Sequence, residues 1–307
     1  MSSPPASDYI RYLAAKQGLD DRSLNRQVWD HLAQALRERT DAAPLRVLEV
    51  GCGIGTMLER LLTGGLLTRA AYTGIDVQAE FIREARRRLQ AYAHARGAGI
   101  TEDGEVLVLK NARQEVRVTL EAVELADFLN REQGNTTWDV LLAHAFLDLI
   151  DLPTVLPRLL ALLVTGGLFA FTLNFDGATI FEPVIDPDLD RRIMTLYHHT
   201  MDSRRHRGVA AGSSLTGRRL FQHLKEAGAT VAAAGASDWV VFPGPAGYPG
   251  DEAYFLHCII DTVAQALHGH PELDRGLLKP WLAARHRQID SCELIYIAHQ
   301  LDVMGYI

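Results

Sequence analysis

Apolar positions along the chain switch between two periods. From Ser7 to Arg39 the period is helical: Leu24, Val28, Leu32 and Leu36 recur every four residues, after a polar Asp20-Asp21-Arg22-Ser23 start that offers a cap. Pro44 punctuates, and Leu45-Arg46-Val47-Leu48-Glu49-Val50 reads as a buried strand running straight into Gly51-Cys52-Gly53-Ile54-Gly55. A helix over Thr56 to Leu62 follows, then a strand from Ala71 to Ile75 ending at Asp76. Next comes a helix with Phe81, Ala85, Leu89 and Tyr92 on one stripe against a run of arginines. Val106 to Leu109 and Val116 to Val123 both read as strands, the first as an added hairpin arm. A helix over Asp127 to Glu132 leads to a core strand, Trp138 to His144. Leu156 to Val164 reads as a helix, ended by Thr165-Gly166-Gly167, and Leu168 to Leu173 as a fifth core strand. After an irregular stretch, a helix from Leu215 to Ala227 and a strand from Thr230 to Val241 resume the rhythm. The last strand is Glu293 to Ala298. Strand alternating with helix predicts a parallel α/β sheet.

Composition narrows the class without changing this pattern. With 48% hydrophobic and 22% charged residues the chain of 307 residues sits at the globular average, which excludes disordered, collagen-like and mucin-like classes. A net charge of −7 has the wrong sign for a protein whose main ligand is a nucleic-acid backbone, so no nucleic acid is expected. Cys52, Cys258 and Cys292 are widely spaced and form no CxxC, against a disulfide framework or structural zinc. A reducing cytoplasm fits. No apolar run approaches the roughly 18 residues of a membrane span, so no membrane association is expected. The sequence says nothing about oligomeric state.

The chemistry concentrates at Val47-Leu48-Glu49-Val50-Gly51-Cys52-Gly53-Ile54-Gly55. Gly51 and Gly53 allow a sharp turn and leave no side chain between loop and ligand, with an acid two residues before the first glycine. A dinucleotide fold prefers GxGxxG, which would place a glycine at position 56, where this chain has Thr56. The pattern Glu49-x-Gly51-x-Gly53-x-Gly55 resembles motif I of class I S-adenosylmethionine-dependent methyltransferases, whose loop contacts the amino-acid half of the cofactor. Tyr72-Thr73-Gly74-Ile75-Asp76-Val77 resembles their motif II. The resemblance covers roughly 45–173 and 215–298 and implies a doubly wound, mostly parallel sheet of seven strands. It implies S-adenosyl-L-methionine as cofactor, Asp76 on the ribose hydroxyls and Val77 against the adenine. For the acid near the adenine amino group, Glu124 with Leu125 fits by position and Asp127 by residue type. Ala143-His144-Ala145-Phe146-Leu147-Asp148 occupies the motif IV place, without the Asn-Pro-Pro-Tyr of enzymes acting on nucleobase amines or glutamine amides.

Each residue also has a plainer reading. Cys52 suits a small filler inside the turn, since no histidine-paired context is visible. His144 is either a satisfied core histidine or, at a strand's carboxyl end beside the cofactor, a contact or base for the acceptor. Residues 1–40 are expected as a helical cover, 41–173 and 213–241 as core, 174–212 and 242–290 as two substrate-lid insertions, and 291–307 as the last strand and C-terminus. The first insertion carries Tyr197-His198-His199-Thr200-Met201-Asp202-Ser203-Arg204-Arg205-His206-Arg207, a mixture suited to a small polar or anionic acceptor. Adjacent histidines point to different helix faces, so no metal is expected there. A nucleotide-dependent oxidoreductase and a non-catalytic cofactor-binding protein remain the alternatives, because Asp76 would serve a dinucleotide ribose equally well.

Overall fold

The computed structural model describes residues 6–39, 43–134, 138–206 and 208–307. Three helices open the chain: α1 (Ala6–Ala15), α2 (Gln17–Ser23) and α3 (Arg26–Arg37). Val28, Leu32 and Leu36 are buried as their spacing predicts. The cap is not the Asp20–Ser23 stretch, which lies inside α2. Asn25 caps α3 instead, its side-chain oxygen accepting from the Val28 N–H at 3.1 Å.

The first half of the core follows the predicted order: β1 (Leu45–Val50), α4 (Thr56–Thr63), β2 (Arg69–Asp76) and α5 (Ala79–Ala95). The inward stripe of α5 is Ile82, Ala85, Leu89 and Ala93. Phe81 and Tyr92 lie at its margin, and Phe81 stacks on Tyr9 of α1 with ring centroids 5.8 Å apart. β3 (Gly99–Asp103), β4 (Val106–Lys110) and β5 (Glu115–Ala122) are followed by α6 (Leu125–Glu132) and β6 (Trp138–His144). β3 and β4 form an antiparallel arm on the edge of β5. The arm was expected from the Val106 to Leu109 run; its outer strand, almost wholly exposed, carries no apolar pattern to predict it.

α7 spans Leu152–Leu160, earlier than expected, because β7 (Leu163–Glu182) begins before the Gly166-Gly167 turn and runs on past Leu173. The continuation has a reason in its pattern: Thr179 and Phe181 face inward while Ile180 and Glu182 face out, a period of two paired against the final strand. Then come α8 (Pro187–Asp202), the small pair β8 (Arg205–His206) and β9 (Val209–Ala210), and α9 (Thr216–Glu226). β10 (Thr230–Ala236), β11 (Trp239–Val241), α10 (Glu252–Ala266), α11 (Arg275–Asp290) and β12 (Ile295–Tyr306) complete the order. Arg207 of the basic stretch lies outside the described residues.

The main sheet is doubly wound and mostly parallel, with the order β10-β12-β7-β6-β1-β2-β5-β4-β3 and β11 against β12. It has ten strands, three more than the expected seven, the additions being β3, β4 and β11. β5, β2, β1, β6 and β7 are parallel neighbours, whereas β12 is antiparallel to both β7 and β10. Beyond the sheet's carboxyl edge the prolonged β7 and β12 join β11, α8, α10 and α11 around a second apolar core, which also takes Ala15 and Leu19 from the N-terminal helices. A fully enclosed cation of this core, Arg285, is paired with Asp190 at 2.8 Å and donates to the Pro183 carbonyl at 2.8 Å, which offsets the cost of burying it. Among the described residues no helix is long and apolar enough to cross a membrane.

Candidate cofactor and acceptor site

At the carboxyl end of β1 the chain turns through Gly51, Gly53 and Gly55, with φ of +67°, +51° and +81°. Gly51 has a second reason to be glycine: a Cβ there would lie 2.2 Å from the Phe146 ring. Over Gly53 there is room, since the nearest atom to a Cβ is Leu13 Cδ1 of α1 at 3.7 Å. The loop is fastened to β2. The Cys52 N–H donates to the Ile75 carbonyl at 2.9 Å, and the Gly53 N–H donates to Asp76 Oδ2 at 3.0 Å, while Asp76 Oδ1 accepts from the Gln78 N–H at 2.9 Å. Burial raises the Asp76 carboxyl against the lowering effect of these backbone donors. Val77, just beyond, is half exposed at the rim.

Glu49 lies beneath the loop, 1% exposed, and accepts a hydrogen bond from the Tyr72 hydroxyl. Burial pushes its carboxyl up to about 7. Cys52 is buried with its thiol raised well above the ordinary value by burial, and its sulfur fills space beside Gly74. The Val123 N–H donates to the Asp76 carbonyl at 2.9 Å, which sets the end of β5 beside the end of β2. Glu124, half-buried, is therefore at this edge as the N-terminal residue flanking α6, followed by half-buried Leu125; Asp127 is exposed on the helix's first turn.

β6 brings Ala143 between Val50 of β1 and Phe171 of β7, with His144 beyond it. Both imidazole nitrogens face protein groups. Nδ1 lies 2.7 Å from Thr172 Oγ1, and Nε2 lies 3.4 Å from both Asp20 Oδ2 and Arg60 Nη1. Burial, and then Arg60, hold His144 down at about 4, so it is neutral at pH 7. Asp20 is the hub of this network: it takes a hydrogen bond from Lys16 Nζ and another from Trp239 Nε1 at 3.0 Å. Burial would raise its carboxyl, but Lys16 and His144 bring it down to about 2. Lys16, Thr172 and Trp239 were not singled out from the sequence, which marks Asp20 only as part of a helix cap. The i,i+4 pairing of Lys16 with Asp20 is an ordinary helix-surface signal, and only the packing of α1 and α2 onto the sheet buries it.

Beside this network lies the turn Leu147–Leu149, just beyond the end of β6. Tyr12, Tyr197 and Ala145 border the second core there, and the Tyr12 phenol is raised by burial and by the nearby Tyr9, Tyr296, Asp20 and Tyr197. The histidines of α8 take other parts. His198 Nε2 meets Thr179 Oγ1 at 3.0 Å, His199 is exposed, and Asp202 accepts from the Ser214 N–H at 2.7 Å and the Ser214 hydroxyl at 3.0 Å. Among the described residues no three His, Cys, Asp or Glu side chains converge as a metal site.

A family model described as a methyltransferase domain matches residues 48–169, the segment that runs from the glycine loop through β6 into β7. The match takes in the glycine loop and Asp76 together, as a methyltransferase domain. No curated protein matches the sequence. Among solved structures, phosphoethanolamine N-methyltransferase 2 of Haemonchus contortus, in complex with phosphomonomethylethanolamine and S-adenosylhomocysteine, is similar at 12% identity over 91% of this chain and 52% of that one, with a TM-score of 0.42. The chain thus spans about half the length of that protein. The cyclopropane synthase MmaA2 of Mycobacterium tuberculosis matches at 10% identity over 89% of this chain and 83% of that one, with a TM-score of 0.41. The YcgJ protein of Bacillus subtilis matches at 11% identity over 90% and 97%, with a TM-score of 0.44. Likenesses this distant carry no information about this chain's acceptor.

Proposed function

We propose that this protein transfers the methyl group of S-adenosylmethionine to a small polar acceptor. The observation that carries the reading is the glycine loop fastened by its own Gly53 amide to Asp76, with open space above Gly53 and a carboxylate within reach of it. Those residues fit the cofactor: Gly51, Cys52 and Gly53 would border its amino-acid part, Asp76 its ribose hydroxyls, and Val77, Glu124 and Leu125 its adenine. When bound, it supplies a methyl group already activated on a sulfonium. The chain's work is then to place the acceptor, to exclude water and to hold its own carboxylates in fixed positions.

His144, neutral and engaged at both nitrogens, serves as a positioning residue that ties α2 to the motif IV strand end. The N-terminal cover and residues 174–212 and 242–290 enclose the acceptor. Against the oxidoreductase alternative stands the topology: a dinucleotide-binding sheet of order 3-2-1-4-5-6 has no antiparallel strand wedged beside its fifth, as β12 is here.

Calorimetric titration with S-adenosylhomocysteine, NAD and NADP tests the reading. Binding of S-adenosylhomocysteine alone is expected, and preferential binding of a dinucleotide would sink it. Turnover with a library of small metabolites, read as a methyl mass increment, then separates an enzyme from a protein that merely binds the cofactor.

A further inference from the structure

Asp148 stands in the short turn Leu147–Leu149 just beyond the motif IV strand. Its backbone is fixed by the insertion: the Gly212 N–H donates to the Ile150 carbonyl at 2.9 Å, and a Cβ on Gly212 would lie 2.4 Å from the Asp148 carbonyl oxygen. The Ala211 N–H donates to the Arg204 carbonyl at 2.9 Å, so the end of α8 is pinned over this turn. The side chain is half-buried, with its own backbone N–H as a nearby donor. Oδ1 is buried and has no hydrogen-bond partner, and the carboxylate makes no ion pair among the described residues. Arg204 and Lys16 are the cations whose charge reaches it, and Lys16 is already committed to Asp20. Of the nearby phenols, that of Tyr197 of α8 feels the Asp148 charge, and Tyr12 of α1 and Tyr296 of β12 lie near Tyr197; among the described residues none of the three hydroxyls makes a hydrogen bond. Tyr12 and Tyr197 keep part of their surface accessible, and burial raises both phenols, Tyr197 to about 12.

An unpartnered buried carboxylate is costly, and such groups are kept where a ligand completes them. An anion would be repelled by Asp148. An alcohol brings one donor and no charge, while an amine brings several N–H donors and a positive charge that aromatic faces also favour.

We propose that Asp148 is the residue that grips the acceptor, and that the acceptor is a small amine whose N–H groups reach this carboxylate while its carbon frame lies among Tyr12, Tyr197 and Tyr296. This assignment rests on the methyltransferase reading and narrows its substrate class.

The test uses the full chain, with and without saturating S-adenosylhomocysteine, titrated with two isosteric pairs: benzylamine against benzyl alcohol, and ethanolamine against ethylene glycol. The amine of a pair is expected to bind about tenfold or more tightly than its alcohol, and Asp148→Asn to remove that preference while leaving S-adenosylhomocysteine affinity within about twofold. Tyr197→Phe is expected to weaken the amine severalfold, and it decides the matter should Asp148→Asn fail to fold. Equal binding of amine and alcohol, no binding of any probe, or a preference that survives the variant overturns the assignment. Failure of S-adenosylhomocysteine to bind at all overturns the cofactor reading instead, and the titrations of the free protein still report on Asp148.

Discussion

The glycine loop and the buried polar network around Asp20 are neighbours built in opposite ways. Gly51 to Gly55, Glu49 and Asp76 come from two consecutive strand ends, and their contacts are largely backbone: amides to carbonyls, and an amide to a carboxylate. The network draws on Lys16, Asp20, His144, Thr172 and Trp239, and its contacts are between side chains, with Lys16 and Asp20 ionised. The loop depends on glycine's access to positive φ, a property of each residue alone. The network depends on a buried i,i+4 ion pair, Lys16 with Asp20, whose remaining hydrogen bonds come from His144 and Trp239 far along the chain. One region is therefore local and tolerant of changes elsewhere, and the other is assembled from the whole chain.

The largest effect should come from breaking the network. Asp20→Ala strands the Lys16 ammonium and the Trp239 N–H in a buried site and is expected to cost about 3 to 5 kcal/mol of stability. Lys16→Met with Asp20→Leu should recover most of that loss in urea melts, because the buried charge is gone. A double variant as unstable as the single one would mean the network is not an ion-pair hub. On the loop side, Gly51→Val combines an unfavourable φ with overlap on Phe146, each worth about 1 to 3 kcal/mol. It should abolish S-adenosylhomocysteine binding, whereas Asp20→Ala, where folded, should weaken it far less; calorimetry on both distinguishes the regions.

Asp76→Ala is milder. It removes an acceptor held by the Gly53 and Gln78 amides and should weaken S-adenosylhomocysteine by about 1.5 to 3 kcal/mol without unfolding the chain. Unchanged affinity in a folded variant would remove Asp76 from the site.

The smallest effect sharpens the comparison through pH. Glu49 is raised to about 7, so the folded state holds a proton that the unfolded state releases near 4.5; its contribution is complete at low pH and lost as pH rises through about 7. His144, held down at about 4, has the opposite sign: its contribution is complete above about 6.5 and lost as pH falls through 4. The two slopes oppose each other between roughly pH 4.5 and 6.5. Glu49→Gln should remove the falling one, so its stability relative to the parent should grow by about 1 to 3 kcal/mol between pH 5 and pH 8 in urea melts. No pH dependence in that difference would show that Glu49 is ionised throughout.

Much of the loop was legible from its residues: glycines at alternate positions after an apolar strand, an acid before them and another at the next strand end define the turn because each constraint acts within a few residues. The five parallel strands and most helices of the core were legible for the same reason, whereas α8, α10 and α11 inside the two insertions were not. The length of β7 was not, since Asn174 to Glu182 is held as strand only by pairing with β12, more than a hundred residues later. Nor was the stripe of α5 legible to the residue, because Phe81 finds its partner Tyr9 on a helix outside the core.

By itself the sequence determined the α/β class, the glycine loop and the acid at the end of β2, all products of short-range backbone conformation and hydrophobic period. Only the tertiary structure decided which polar residues are buried and which of them are left unpartnered. Asp20 and Asp148 look like surface acids in the chain. α1 and α2 fold over the sheet to bury the first beside Lys16 and His144, and the insertion after β7 closes over the second without giving it a partner, because desolvation depends on what the rest of the chain places above a residue.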